Sequence, residues 1–384
     1  MSKRAVRALV GAAAVAATIA LLIERRRRRR RPCLLEHLNL NIPSEAAARE
    51  FYVAALGGVV QPVTTNWRQL HVNVGASQFH LLTSASRVDV PPPGEKVRVP
   101  QKWAGVIELL TTEELPAVLA RVKATASGDA QPVEDDVFAA VYGLGSGHWP
   151  TSPTLSEDGL RLLCTCPWGN RYIIRQAQRR WGWGTGFVAA GGHPGGAGEL
   201  VALPLLAHPV AIGCAHAIAS FFERILGCEA WLETMKLPPG AEHSAPTNQP
   251  AHLKRDGSAA AALAAVVPFA TGQELRFIET ADAPSPRAYL QDENVHGYHV
   301  AFYTASHEAY VSAFERAHAA GALYSNPRFE GGKPEFGNAM SRQVALACGQ
   351  FRVRDLSHPE SGELGLMMEL EVRSPRHISC PLRS

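Results

Sequence analysis

Phe51-Tyr52-Val53-Ala54-Ala55-Leu56-Gly57 returns, from position 51 to position 221, as Phe221-Phe222-Glu223-Arg224-Ile225-Leu226-Gly227. Each copy closes an amphipathic stretch on Leu-Gly. Each also follows a strand-like segment that carries a histidine, Leu34 to Ile42 in the first case and Leu200 to His208 in the second. A chain that repeats a strand-helix unit folds by pairing or stacking copies, because one copy cannot bury its own apolar face. The length of 384 residues agrees, since it exceeds one ordinary core and suggests two domains with additional segments.

Composition separates a globular body from its N-terminus. Hydrophobic residues at 46% and charged residues at 19% are those of a folded protein, not a disordered one. The net charge of +3 is misleading, because Arg25 to Arg31 supply seven positive charges and the remainder is mildly acidic. No nucleic-acid surface is therefore expected on the body. Seven scattered cysteines, with Cys164 and Cys166 one residue apart, match no usual zinc spacing and suit a reducing compartment.

Ala8 to Ile23 is an apolar run ahead of the arginines. As a helix it would reach roughly 24 Å at about 1.5 Å per residue, against a bilayer core of about 30 Å. No small-residue cleavage site follows it, so residues 1–32 read as a membrane-anchor helix with a polyarginine flank. The positive-inside rule then places the body on the cytoplasmic side. The alternative is a basic organelle-import sequence.

Four strand-helix-strands units follow. The first has a strand over Leu34 to Ile42, an N-cap at Ser44, a helix to Leu56 stopped by Gly57-Gly58, and strands at Gln69 to Val74 and Gln78 to Leu82. The second has a strand over Val106 to Leu110, a capping box at Thr111-x-x-Glu114, a helix over Glu113 to Val122, and strands at Arg161 to Thr165 and Arg171 to Gln176. Residues 177–199 form a Gly-rich linker. The third unit has a strand near Leu200 to Leu206, which Pro209 is expected to end at His208, a helix over Cys214 to Leu226, and strands at Ala260 to Val267 and Glu274 to Glu279. The fourth has a strand over Tyr298 to Tyr303, a helix over Glu308 to Ala320 closed by Gly321, and strands at Arg352 to Leu356 and Leu364 to Val372.

This order resembles the vicinal oxygen chelate superfamily, which includes glyoxalase I, extradiol dioxygenases and bleomycin- or fosfomycin-resistance proteins. The resemblance covers roughly Leu34 to Pro381 and is carried by Glu36 to Gly57, Gln78 to Thr83, Pro167 to Gln176, His299 to Tyr303 and Arg354 to Ser374. It implies an α+β fold of four βαβββ modules forming two cupped, barrel-like domains, 33–176 and 200–384, behind the anchor. It also implies a divalent metal inside a cup, Fe(II) or Zn, Ni or Mn, held by His or Glu on the first and later strands of a module. The superfamily pairs modules between chains as well, which admits a homodimer.

The metal slots are unevenly filled. His37 and His80 occupy first-strand and later-strand positions in the first unit, but the second unit places Ile107 and Ile173 there. His37 and His80 are accordingly expected to line the substrate pocket. The second half offers His299 on a first strand, Glu369 and Glu371 on the last strand, and His208 as a third candidate whose register is ambiguous. Arg276 stands where the third unit corresponds to His80, and could hold a substrate carboxylate. The bland reading makes His299 a satisfied half-buried histidine and puts the glutamates on an exposed face, with Glu371 paired to Arg373 or Arg352. In extradiol dioxygenases iron sits only in the C-terminal domain with a nearby acid/base histidine, a role for which His296 or His307 would be the candidates.

Two functions follow from the resemblance. One is a metal-dependent enzyme, a dioxygenase or glyoxalase-like lyase acting on a small vicinal-oxygen substrate, with its site in the second domain. The other is a small-molecule-binding or scaffold protein of the same fold that has lost its metal. No nucleophile elbow, phosphate loop or dinucleotide fingerprint is present in the sequence.

Overall fold

The computed structural model describes residues 30–65, 69–83, 100–125, 138, 149–177, 198–236, 261–287, 298–326 and 339–382. The anchor run, His296 and most of the Gly-rich linker lie outside the described residues. Module one is β1 (Leu34–Ile42), α1 (Glu45–Ala48, continuing as a π-helical turn over Arg49–Ala55), β2 (Val59–Val60), β3 (Gln69–Val74) and β4 (Ser77–Thr83). Module two is β5 (Val106–Thr111), α2 (Leu115–Thr125), β6 (Thr154–Leu155), β7 (Arg161–Thr165) and β8 (Arg171–Gln176). Module three is β9 (Leu200–Val210), α3 (Cys214–Phe221, continuing as a π-helical turn over Phe222–Leu226), β10 (Trp231–Lys236), β11 (Ala261–Pro268) and β12 (Glu274–Glu279). Module four is β13 (His299–Tyr303), α4 (His307–Ala319), α5 (Arg342–Cys348), β14 (Gln350–Ser357) and β15 (Leu364–Arg373).

The repeated phrase has a physical meaning. In both copies it forms the π-helical turn that ends the helix, and it closes on a left-handed glycine, Gly57 at φ 80° and Gly227 at φ 70°. A side chain at either position would be strained, which explains why the phrase ends in Gly. The aromatic residues of the phrase, Phe51, Tyr52, Phe221 and Phe222, are buried against the sheets. Each such burial contributes on the order of 1.5–3 kcal/mol. Ser44 caps α1 as expected, its hydroxyl accepting from Ala47 N–H at 3.2 Å.

The modules pair in a way that residue order does not dictate. One sheet has seven strands in the order β14-β15-β13-β1-β4-β3-β2, and the other has eight in the order β10-β11-β12-β9-β5-β8-β7-β6. Module one therefore shares a sheet with module four, and module two with module three. At the centre of each sheet two first strands run antiparallel, β1 against β13 and β5 against β9. The last strand of each module lies parallel to its own first strand. These sheets cut across the division of the chain at 33–176 and 200–384. Among the described residues, module four fills its second-strand place with an isolated bridge, Leu323 to Val353.

Period two divides each strand between two faces. On β1, Leu38, Leu40 and Ile42 join the main core under the helices, whereas His37, Asn39 and Asn41 face the other way. Gln273 ties the sheets together from a buried position. Its amide nitrogen donates to the Leu35 and Leu203 carbonyls at 3.1 and 2.9 Å, and its oxygen accepts from Leu35 N–H at 3.0 Å.

Two local expectations change. β9 does not stop at His208 but continues through Pro209 to Val210. Its pairing with β5 ends at Ala207, so the missing N–H of Pro209 is required by no ladder there, and β12 runs beside it to Val210. The helix of module two begins at Leu115, not at Glu113, and Thr111 is the last strand residue, its hydroxyl accepting from Glu113 N–H at 3.2 Å.

Arg30 and Arg31, the end of the arginine run, are docked on the body. Arg30 donates to the carbonyls of Glu223, Gly227 and Cys228 at 3.3 Å each, at the negative C-terminal end of α3. Arg31 pairs with Glu229 at 2.7 Å. No helix among the described residues is long and apolar enough to cross a membrane.

Candidate metal centre

The antiparallel register of β1 and β13 places Asn39 opposite His299 and His37 opposite Ala301. The parallel neighbours extend the row, with His80 beside Asn39, Glu369 beside His299 and Glu371 beside Ala301. Residues from the first and last quarters of the chain thus converge on one side of one sheet. His37 Nε2 and His299 Nε2 lie 3.0 Å apart, and His299 Nε2 is 3.6 Å from Glu371 Oε2. The His80 ring stacks on His37 with centroids 3.7 Å apart, and His71 stacks on the far side of His80 at 3.8 Å.

A β-bulge between Leu35 and His37 turns both Glu36 and His37 toward this cluster, although neighbouring strand residues ordinarily point apart. The Glu36 carboxylate accepts from His37 Nδ1. With Nδ1 engaged by the carboxylate, Nε2 faces the centre, the arrangement by which a carboxylate orients a metal-binding imidazole.

Two buried arginines complete the network. Arg352 donates to Glu369 through Nη1 and to Glu371 Oε2 through Nη2. Arg373 donates to Glu371 Oε1 and to Glu36 Oε2, the latter at 2.8 Å. Asn326 donates to the second oxygen of Glu369 at 2.7 Å. Burial pushes the Glu371 carboxyl up, but Arg352 and Arg373, helped by His37 and His299, hold it well below the usual carboxylate range. Burial together with His37, His71, Arg373 and His299 pushes the His80 ring well below its usual value, so it is a neutral donor near pH 7.

Among the described residues, two groups have donor atoms close enough together for one ion. These are His37, His299 and Glu371, and Glu36, His37 and His80. Imidazole nitrogens with a carboxylate are borderline donors that suit Fe(II), Zn, Ni or Mn, and His37 is already oriented for the task, so the residues fit a divalent ion.

The structure distributes the expected site residues unevenly. His37, His80, His299, Glu369 and Glu371 come together, and they do so across both halves of the chain. His208 is in the other sheet, where its Nδ1 faces the Pro209 carbonyl at 2.7 Å and its Nε2 faces the Tyr298 hydroxyl at 2.6 Å; it belongs to neither donor group. Arg276 is also on that sheet, paired with Glu274 at 2.7 Å and Glu233 at 3.5 Å. His307 pairs with Ser374 at 3.0 Å at the start of α4. Glu371 does pair with Arg352 and Arg373, but on a buried face and not an exposed one. Glu36 and Asn326 are not among the site residues that the sequence pattern points to. The adjacent Glu36-His37 pair was the available signal, but only the bulge turns both side chains to one face.

No protein-family model matches the sequence, and no curated protein sequence matches it. Among solved structures the chain is similar to glyoxalase I of Zea mays at 9% identity, with 89% of this chain and 92% of that chain covered and a TM-score of 0.45. It is similar to a provisionally assigned dioxygenase of Bacillus subtilis at 9% identity, with 90% and 86% covered and a TM-score of 0.44. A virulence protein of Salmonella typhimurium, at 16% identity and a TM-score of 0.23, covers 38% of this chain with 97% of its own. These likenesses concern the fold alone. The paired arrangement of the four modules rests on the strand order itself.

Proposed function

We propose that the protein is a metal-dependent enzyme of the glyoxalase or extradiol dioxygenase type, acting on a small substrate with two adjacent oxygens. The observation that supports this reading is the convergence of His37 Nε2, His299 Nε2 and the Glu371 carboxylate from the strands of modules one and four. His37, His299 and Glu371 would hold the ion, with His80 and Glu369 as further candidates. Such an ion supplies Lewis acidity toward a chelating substrate, or O2 activation if it is iron. The chain's own part is preparation. Glu36 fixes the His37 tautomer, Arg373 ties Glu36 to Glu371, and neutral His80 packs beside the donors without adding charge.

A second reading, a metal-free binding or scaffold protein, is favoured by one feature. Both Glu371 oxygens already accept from guanidiniums. Elemental analysis separates the two readings. The full chain, purified without chelators or a histidine tag, is expected to carry about one equivalent of Fe, Zn, Ni or Mn, and His299→Ala is expected to lose it. A protein that is metal-free and also refuses added ions would sink the enzyme reading.

For the body as a whole we propose tethering to a membrane by the N-terminal run, with the body on the cytoplasmic side. The apolar run Ala8 to Ile23 and the basic residues on both sides of it support this.

A further inference from the structure

We infer that Arg352 is an internal competitor for the cation position, so that the centre binds a divalent ion far more weakly than its donors alone would allow. This rests on reading His37, His299 and Glu371 as metal donors. Glu371 Oε2, the oxygen 3.6 Å from His299 Nε2, is the same oxygen that accepts from Arg352. An ion at the donor group and the Arg352 guanidinium would therefore share one carboxylate oxygen. Arg352 is 4% exposed, faces Glu371 directly across the β14–β15 ladder, and also holds Glu369. It cannot swing into solvent at little cost.

Charge counting supports the same view. Glu36, Glu369 and Glu371 against Arg352 and Arg373 leave one net negative charge in the buried network. A divalent ion would reverse that sign, whereas without Arg352 the loaded network would be neutral. Arg373 acts differently. It holds Oε1, the oxygen engaged away from Arg352, and through Glu36 it steadies His37, so it is a positioning residue.

The test is the affinity of the full-length chain in detergent for Zn2+ and for Mn2+, measured by competition with a chromophoric chelator. R352Q should bind roughly tenfold more tightly than the native chain, because the guanidinium that both opposes the ion and occupies Glu371 Oε2 is gone. R373Q should bind more weakly. If R352Q fails to fold, R352M/E369Q removes one cation and one anion together, leaves the net charge of the network unchanged and frees Glu371 Oε2, so a smaller tightening is expected from the freed oxygen alone. Unchanged or weaker affinity in a folded variant, beside a native chain that does bind, overturns the competitor role and leaves the metal reading standing. A native chain that takes up no ion beside an R352Q chain that does supports the competitor role and defeats the metalloenzyme reading. No uptake by any form overturns both.

Discussion

Replacing Arg373 with Met should expose how much the protein depends on the charge network under the histidines. Arg373 is 8% exposed and serves two carboxylates, Glu36 and Glu371, that are 1% and 2% exposed. Met keeps the length of the chain and loses the charge. Each lost pair is worth about 4 kcal/mol at 4 Å with an effective dielectric near 20. Glu371 keeps Arg352 and Glu36 keeps the His37 imidazole, so the two losses do not simply add. Stranding a buried charge costs about 3–5 kcal/mol in comparable cases, and that is the expected loss for R373M at pH 7. Urea unfolding followed by tryptophan fluorescence, with EDTA present so that no ion compensates, gives the number. The pH dependence gives a second check. Glu371 has a folded pKa held well below its unfolded one, so its stabilisation is present above about pH 4.3 and is lost as pH falls through the folded value. The gap between native protein and R373M should therefore narrow in acid. A loss under about 1 kcal/mol at pH 7, or a gap that widens in acid, would refute the buried network described here.

His208 should make the protein acid-sensitive for a separate reason. Burial lowers its pKa to about 3, with the Pro209 carbonyl opposing, so the unfolded chain binds the proton first and stability falls as pH drops from about 6.5 toward 3. Between pH 7 and pH 5 this amounts to about 2 kcal/mol, and H208Q should lose that much less over the same interval; equal losses would show that His208 is not held neutral. Gly105 lies so close to β9 that an added Cβ would sit 1.8 Å from the Ala207 carbonyl oxygen, and G105A should destabilise by about 3 kcal/mol or more in urea titrations. Flotation with anionic lipid vesicles should retain the full-length chain and release one beginning at Cys33; equal flotation would remove the N-terminal run as the tether.

Much of the local structure was legible from the residues. The recurring Phe-Tyr/Phe-x3-Leu-Gly phrase, the alternation over Leu34–Ile42 and the cap at Ser44 all depend on contacts within a turn or two, and each forms where the pattern places it. The later strands at Gln69–Val74, Arg161–Thr165 and Leu364–Arg373 follow the same rule. Where the reading was local but incomplete it missed at Pro209, because whether a strand survives a proline depends on which neighbour requires its N–H. The candidate site divided similarly. His37, His80, His299, Glu369 and Glu371 could be named from their strand positions, but not the fact that they meet.

Four modules, their internal order and the residues able to bind an ion follow from short-range periodicity and side-chain chemistry, and are legible in the residues. The pairing of module one with module four is not, and emerges only in the folded chain. First strands join through backbone hydrogen bonds, which carry no residue identity, so the choice among equivalent edges rests on how whole apolar faces fit. That choice brings His37 to His299. The bulge at Leu35–His37 then adds Glu36, and the ladder between β14 and β15 sets Arg352 on the oxygen that a metal would need.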